Sequence, residues 1–252
     1  MMSEDPTYHI QLKKEQTGKY VILPGDRGRV HRIAKYLENA EVVGDNREYY
    51  TMTGWLEGVQ VSVMSTGMGA PCVSIGVEEL RTLGVHTYIR VGTAGALQSY
   101  LKMGEGIIPM GAVREDGTMD AYVPKAYPAV GNFEVIEALD RAATAMNHPH
   151  QTGIVLSTDA YYARFFNTGE LAERTERFIR ANALCVEMEV SSLYILSSIY
   201  RLRAGAIVTV REVIDNDSEY REQGGVEFEE GLERSIRTSI EAIRLLIIKD
   251  RA

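Results

Sequence analysis

Two cysteines in 252 residues are too few for a disulfide framework, and Cys72 and Cys185 stand too far apart for a paired metal-ligand motif. They read as small thiols in a reducing compartment. No run approaches the roughly 20 apolar residues of a membrane span. The first residues, Met1-Met-Ser-Glu-Asp-Pro6, are acidic and have no apolar signal core, so the expectation is a cytoplasmic protein with no membrane partner. Basic charge is also scarce: 27 Lys and Arg against 35 Asp and Glu leave a net charge of −8. This excludes a general nucleic-acid binder, which works by neutralising phosphates with clustered cations. There is no GxGxxG after a first strand and no GxxxxGK[ST], so dinucleotide and nucleoside-triphosphate sites are poorly supported. No Pro/Ser-rich linker, low-complexity tract or internal repeat divides the chain, and a single domain is expected.

What remains is an apolar chain with punctuated polar turns. Short strands are predicted over 19–23, 47–55, 59–64, 86–91, 105–113, 152–156 and 204–213. Helices are predicted from Val30 through Leu37 and over 71–83, 133–146, 170–180, 186–202 and 226–249. Strands alternating with helices, plus a hairpin at Glu57-Gly58, predict an α/β domain: a mixed central sheet flanked by helices on both faces. Ligands of such folds gather at the carboxyl ends of strands.

Two polar turns fall there. Leu23-Pro-Gly-Asp-Arg-Gly-Arg29 and Arg90-Val-Gly-Thr-Ala-Gly-Ala96 combine glycines, which let backbone approach a ligand, with arginines able to grip an oxyanion at two points. For Gly25 and Arg29 alone, an ordinary strand-to-helix turn is an equal reading. Arg90 ends an apolar strand, where an unpartnered charge is costly, so it requires a carboxylate or a bound anion. Thr93 follows in a Gly-x-x-Gly segment read as a loop, whose hydroxyl and amides suit phosphate. Glu187 and Glu189 bracket Met188 before a helix; they serve either the helix dipole or vicinal sugar hydroxyls. The five histidines show no catalytic pairing.

Together these segments resemble the nucleoside phosphorylase-I family, most closely its uridine phosphorylase branch. Ser65-Thr-Gly-Met-Gly-Ala-Pro-Cys-Val-Ser-Ile75 is similar to the family signature. Leu23-Pro-Gly-Asp26, Asn46-Arg-Glu48, Ile89-Arg-Val-Gly-Thr93 and Val186-Glu-Met-Glu189 match in order and spacing, and the likeness spans nearly the whole chain. The resemblance implies reversible phosphorolysis: phosphate attacks C1′ of a nucleoside and the base leaves, with no covalent enzyme intermediate, metal or cofactor. It implies that Gly25, Arg29, Arg90 and Thr93 bind phosphate, with Arg47 supplied by a neighbouring subunit. Thr93, Met188 and Glu189 would hold the ribose, and His9 would reach its 5′-hydroxyl across a dimer interface. Tyr161 takes the place of a stacking aromatic, while Ala94, Gly95, Val186 and Glu187 lie toward the base. The family's usual assembly, a hexamer built of dimers, is expected.

Some positions depart from the uridine branch. Cys72 replaces a serine that, with Glu48, lines a monovalent-cation site in some relatives, which puts that ion in doubt. Ala94 replaces a second threonine. The Gln-x-Arg that reads uracil is missing from Tyr161-Tyr-Ala-Arg-Phe-Phe-Asn-Thr-Gly169, where Arg164 is the available substitute. Arg211 fits a base-proximal arginine of the uridine branch. Asp215 falls near a proton-donating aspartate of the purine branch, and it also reads as a turn residue. The base, pyrimidine or purine, stays open, with uridine favoured. A nucleosidase is opposed by the three arginines, which attack by water does not need. A binding protein without turnover is the non-enzymatic alternative.

Overall fold

The structure is a computed structural model that describes residues 5–163, 169–214, 220–221 and 225–251. The first strand, β1 (Tyr20–Pro24), is buried along its whole length. It lies between β4 (Val59–Met64) and β5 (Thr87–Ala96), parallel to both. Between β1 and β4 come helix α1 (Arg27–Ala34) and two strands, β2 (Glu38–Asn46) and β3 (Tyr49–Leu56), which continue the sheet in antiparallel fashion. Asp26 caps α1 by accepting the Arg29 N–H at 2.9 Å. The β3–β4 turn places Glu57 and Gly58 at φ of 51° and 66°, the left-handed pair that a tight two-residue hairpin uses, so the expected hairpin is present.

Helix α2 (Ala70–Thr82) carries Pro71 in its first turn. Beyond β5 follow β6 (Gly106–Glu115), β7 (Ala129–Val130), α3 (Phe133–Ala145), β8 (His150–Thr158) and α4 (Gly169–Arg180). The chain then forms β9 (Cys185–Glu187), α5 (Val190–Tyr200), β10 (Arg203–Ile214), β11 (Tyr220–Arg221) and the long α6 (Val226–Arg251).

The sheet is mixed, and it closes on itself. β5 pairs with β10, β10 with β6, β6 with β8, β8 with β9, and β9 again with β5. These five strands form a ring, and β1, β4, β3 and β2 extend from it as an open wing. Alternation along the inner strands divides the core. Val21 and Tyr88 face α2 and α5, packing with Val73, Val77, Leu80, Leu193 and Leu196. Ile22 and Ile89 face the other way, onto Val30 and Ile33 of α1, Leu139 of α3 and Ile243 of α6. This is the two-faced helical cover expected from the sequence. A third, smaller cluster joins Leu97, Leu156 and Ala183 to Phe178 and Ile179 of α4.

Two local expectations are corrected, and one strand is added. Gly92–Gly95 is no loop: β5 runs on to Ala96, because after its last pairing with β1 at Val91 it keeps β10 as a neighbour and gains β9. Val186 and Glu187 belong to β9, not to a helix from 186, because they pair with Gly95 and with Leu156 and Ser157; α5 begins only at Val190. The chain over 38–46 forms β2, an edge strand with no buried residue, so no apolar alternation marked it.

Candidate active site

The carboxyl ends of β1 and β5 open into a cavity of about 1160 Å³. At one end stand Gly25, Arg29 and Arg90. Arg90 is 4% exposed and donates from Nη2 to Glu189 Oε2, while its Nε and Nη1 have no hydrogen-bond partner. Arg29 donates from Nη1 to the Val91 carbonyl at 2.9 Å, and its buried Nε is also unpartnered. Burial, with the Arg90 charge beside it, pushes the Arg29 guanidinium down to about 10. Two neighbouring cations, Arg90 buried and Arg29 half-buried, with three unpartnered guanidinium nitrogens between them, make a socket for an anion.

Glu189 closes one wall of that socket. It is 4% exposed, and its Oε1 accepts the Gly69 N–H at 2.7 Å. Gly69 sits at φ +88° in the Ser65–Pro71 segment, a left-handed backbone that favours glycine and turns the amide toward the carboxylate. Glu187 lies deeper. Its Oε2 accepts the N–H groups of Glu189 and Val190 at 2.7 and 2.9 Å, and its Oε1 accepts the Ser157 hydroxyl. Burial, reinforced by the charge of Glu189 and opposed by Arg90, pushes its carboxyl up to about 7.

The rest of the cavity is laid out along β5. Thr93, Ala94 and Gly95 all line it, with Gly95 about 16 Å of strand beyond Arg90. Val186 of β9 and Glu212 of β10 pair with Gly95 from either side. Met188, Tyr161 and Arg211 also line the cavity. The Tyr161 hydroxyl donates to Glu212 at 2.6 Å, and Arg211 lies over the Phe228 ring, 5.5 Å from its centroid. Leu171, Thr175 and Phe178 of α4 cover this far end, and Arg174 is ion-paired to Glu115 there. The space therefore has a cationic end, a carboxylate-bearing middle and a far end with both apolar and polar walls.

The Phosphorylase superfamily family model matches residues 19–247. This chain belongs to the phosphorylase superfamily. It is 42% identical to the uridine phosphorylase of Treponema pallidum, over 98% of this chain and 97% of that protein. It is 34% identical to the guanosine phosphorylase of Halorubrum lacusprofundi, over 97% of this chain and 100% of that one. Among solved structures, the uridine phosphorylase of Vibrio fischeri ES114 complexed with 6-hydroxy-1-naphthoic acid superposes with a TM-score of 0.85. The two are 30% identical, and the match covers 96% of this chain and 98% of that one. The family resemblance read from the motifs is thus borne out.

Within this phosphorylase-superfamily chain, two of the residues singled out from the sequence lie away from the cavity walls. Arg47 is exposed in the β2–β3 turn at φ 56°, where its carbonyl accepts from Arg27. His9 is tied to Glu79, which accepts His9 Nδ1 at 2.6 Å and the N–H groups of His9 and Ile10. Burial acts to raise the Glu79 carboxyl, but these bonds outweigh it and hold it below its ordinary value. Arg164 and Asp215 lie outside the described residues. Glu48 reaches the cavity, and its Cβ would stand 3.0 Å from a side chain on Gly67; the Cys72 thiol is 3.7 Å from the same point. Among the described residues no group of three His, Cys, Asp or Glu side chains is arranged to hold a metal, and no helix is long and apolar enough to cross a membrane.

Sequence reasoning passed over Glu212, a 4% exposed carboxylate within the apolar strand β10. The signal that singled out Arg90, a charge inside an apolar strand, was present there as well. A register shift between Val210 and Glu212 marks a bulge that re-aims the strand at the cavity.

Proposed function

We propose that this protein catalyses the reversible phosphorolysis of a nucleoside, with uridine the favoured substrate, giving free base and ribose 1-phosphate. The observation that carries the reading is the pair of unsatisfied guanidinium groups, Arg29 and Arg90, beside the Glu189 carboxylate. In this reading Gly25, Arg29, Arg90 and Thr93 receive phosphate, and Glu189 with Met188 and Thr93 orients the ribose. As the glycosidic bond stretches, positive charge develops on the sugar and negative charge on the base. A phosphate clamped beside C1′ is positioned for attack and stabilises that cation. Ala94, Gly95, Tyr161, Val186 and Arg211 form the base end in this reading.

Arg47 and His9, both away from this cavity's walls, would complete the site of a neighbouring protomer, so the working form in this reading is a homo-oligomer built of dimers. A reducing, cytoplasmic setting suits its two free thiols. A purine reading is the second one. It is favoured by the missing Gln-x-Arg and by the full-length similarity to a guanosine phosphorylase.

The test is cleavage of uridine, guanosine, inosine and adenosine with and without inorganic phosphate. Uridine is expected to be cleaved fastest, with phosphate required and ribose 1-phosphate as product. A clear preference for guanosine or inosine moves the assignment to the purine reading, and free ribose as product rejects phosphorolysis.

A further inference from the structure

We propose that Glu187 is a positioning residue: with Ser157 behind it and Asp116 anchoring Ser191, it fixes the start of α5 and thereby the aim of Glu189 at Arg90. The inference rests on the phosphorolysis reading for its kinetic consequences. It assigns Glu187 a role other than contact with the base.

The buried contacts run without a gap. The Asp116 carboxylate accepts the Met119 N–H at 3.0 Å and the Ser191 hydroxyl at 2.6 Å. The Ser191 N–H donates to Ser157 Oγ at 3.0 Å, and that hydroxyl donates to Glu187 Oε1. Glu187 Oε2 then holds the N–H groups of Glu189 and Val190, the opening of α5. Asp116, Ser157 and Ser191 are fully buried, and Glu187, Glu189 and Arg90 are each 4% exposed. Three separate parts of the chain converge: β8 through Ser157, paired in register with Glu187 of β9, and the segment after β6 through Asp116. A network of this kind, fully satisfied in a low dielectric, permits one arrangement, and losing one member leaves its neighbours unpaired.

Glu187 also lines the cavity, but its two oxygens carry three protein donors where those of Glu189 carry two, and one of the Glu189 donors is Arg90, which has open nitrogens of its own. That difference assigns Glu187 to holding. The charged and titratable groups facing Glu187 are Glu189, Arg90, Cys185 and Tyr194. Burial pushes Cys185 and Tyr194 upward, so both stay neutral near neutral pH. The proton on Glu187 therefore answers mainly to Glu189 and Arg90, and its loss adds a negative charge behind the anion socket.

The experiment compares wild type with Ser157→Ala, Ser157→Thr and Glu187→Gln. Calorimetry with inorganic phosphate and steady-state kinetics with uridine, guanosine and adenosine are the readouts. Glu187→Gln keeps an acceptor for the α5 amides while removing the charge. Ser157→Ala and Glu187→Gln are expected to lower kcat/KM by about 10- to 100-fold, by the same factor for each nucleoside cleaved. Phosphate Kd is expected to weaken in Ser157→Ala, and Ser157→Thr to recover most of the loss. The ratio of wild-type to Glu187→Gln phosphate KM is expected to change between pH 6 and 8; phosphate's own ionisation is common to both and cancels. The double variant should be no worse than the poorer single variant. A changed order of nucleoside preference with phosphate Kd intact would overturn the proposal in favour of direct base contact. Unchanged Kd, kinetics and pH ratio would overturn it outright. If wild type cleaves no nucleoside yet binds phosphate, the phosphorolysis reading fails, and the Kd comparison still judges the relay.

Discussion

A Cβ added to Gly25 would stand 3.7 Å from Arg90 Nη2 and 3.0 Å from the carbonyl oxygen of Gly67. The second distance is tighter than side chains normally tolerate, and the obstacle is backbone. Gly25→Ala is therefore expected to push the β1 turn away from the arginine pair. Phosphate KM should rise about tenfold, equivalent to about 1.4 kcal/mol, with a smaller change in kcat. Steady-state kinetics with phosphate varied at saturating nucleoside checks this.

Arg90→Ala removes two of the unpartnered nitrogens and leaves the buried Glu189 carboxylate without its cation, held only by the Gly69 N–H. Loss of a preorganised charge contact of this kind costs on the order of 10²-fold in rate or more. The variant should also lose its response to ligand. At one hundred times its Kd, phosphate stabilises wild type by about 2.7 kcal/mol, a rise of roughly 5–10 °C in Tm for a chain of this size. Thermal melts with and without phosphate should show that rise in wild type and not in Arg90→Ala.

His148 supplies a prediction about acid. It is 2% exposed, with Nδ1 bonded to Thr238 Oγ1 at 3.0 Å and Nε2 unpartnered against Gly106. Burial, then the charges of Arg234 and His150, depress its pKa to about 4, below the ordinary 6.5. Between those values the unfolded chain binds the proton and the native state does not. Stability is therefore full above pH 6.5 and falls as pH drops toward 4, by about 3 kcal/mol from this group. The raised Glu187 carboxyl acts in the opposite sense, weakening the fold as pH rises from 4.5 toward 7. Urea unfolding of wild type and His148→Gln at pH 7, 5.5 and 4.5 isolates the histidine: the variant should lose less stability on acidification.

The two ends of the site were unequally legible in the sequence. Arg90 stood out because a charge in an apolar strand demands a partner, and the structure supplies Glu189 on one side and open N–H groups on the other. β2 was not legible: its exposed edge position leaves Glu38–Asn46 without the alternation that burial imposes. β9 was hidden for another reason. Three residues are too few to set a period, and the apolar helix after Glu189 invited an early start. The closure of the ring is a matter of pairing between distant segments, which local patterns do not encode. Glu212 was missed at the far end because it follows Arg211 within the same predicted strand, and the sequence does not say which of two adjacent charges the alternation buries and which it exposes.

That closure has a consequence in time. Thr87 and its successors pair with a partner that starts at Arg203, and Gly95 pairs with Val186. A chain emerging from the ribosome thus owns both arginines long before it owns the walls that bury them. Until the last third is made, those cations remain hydrated and have no grip on an anion. Truncation before β10 should yield an open, aggregation-prone sheet, and slow assembly follows from such distant partners.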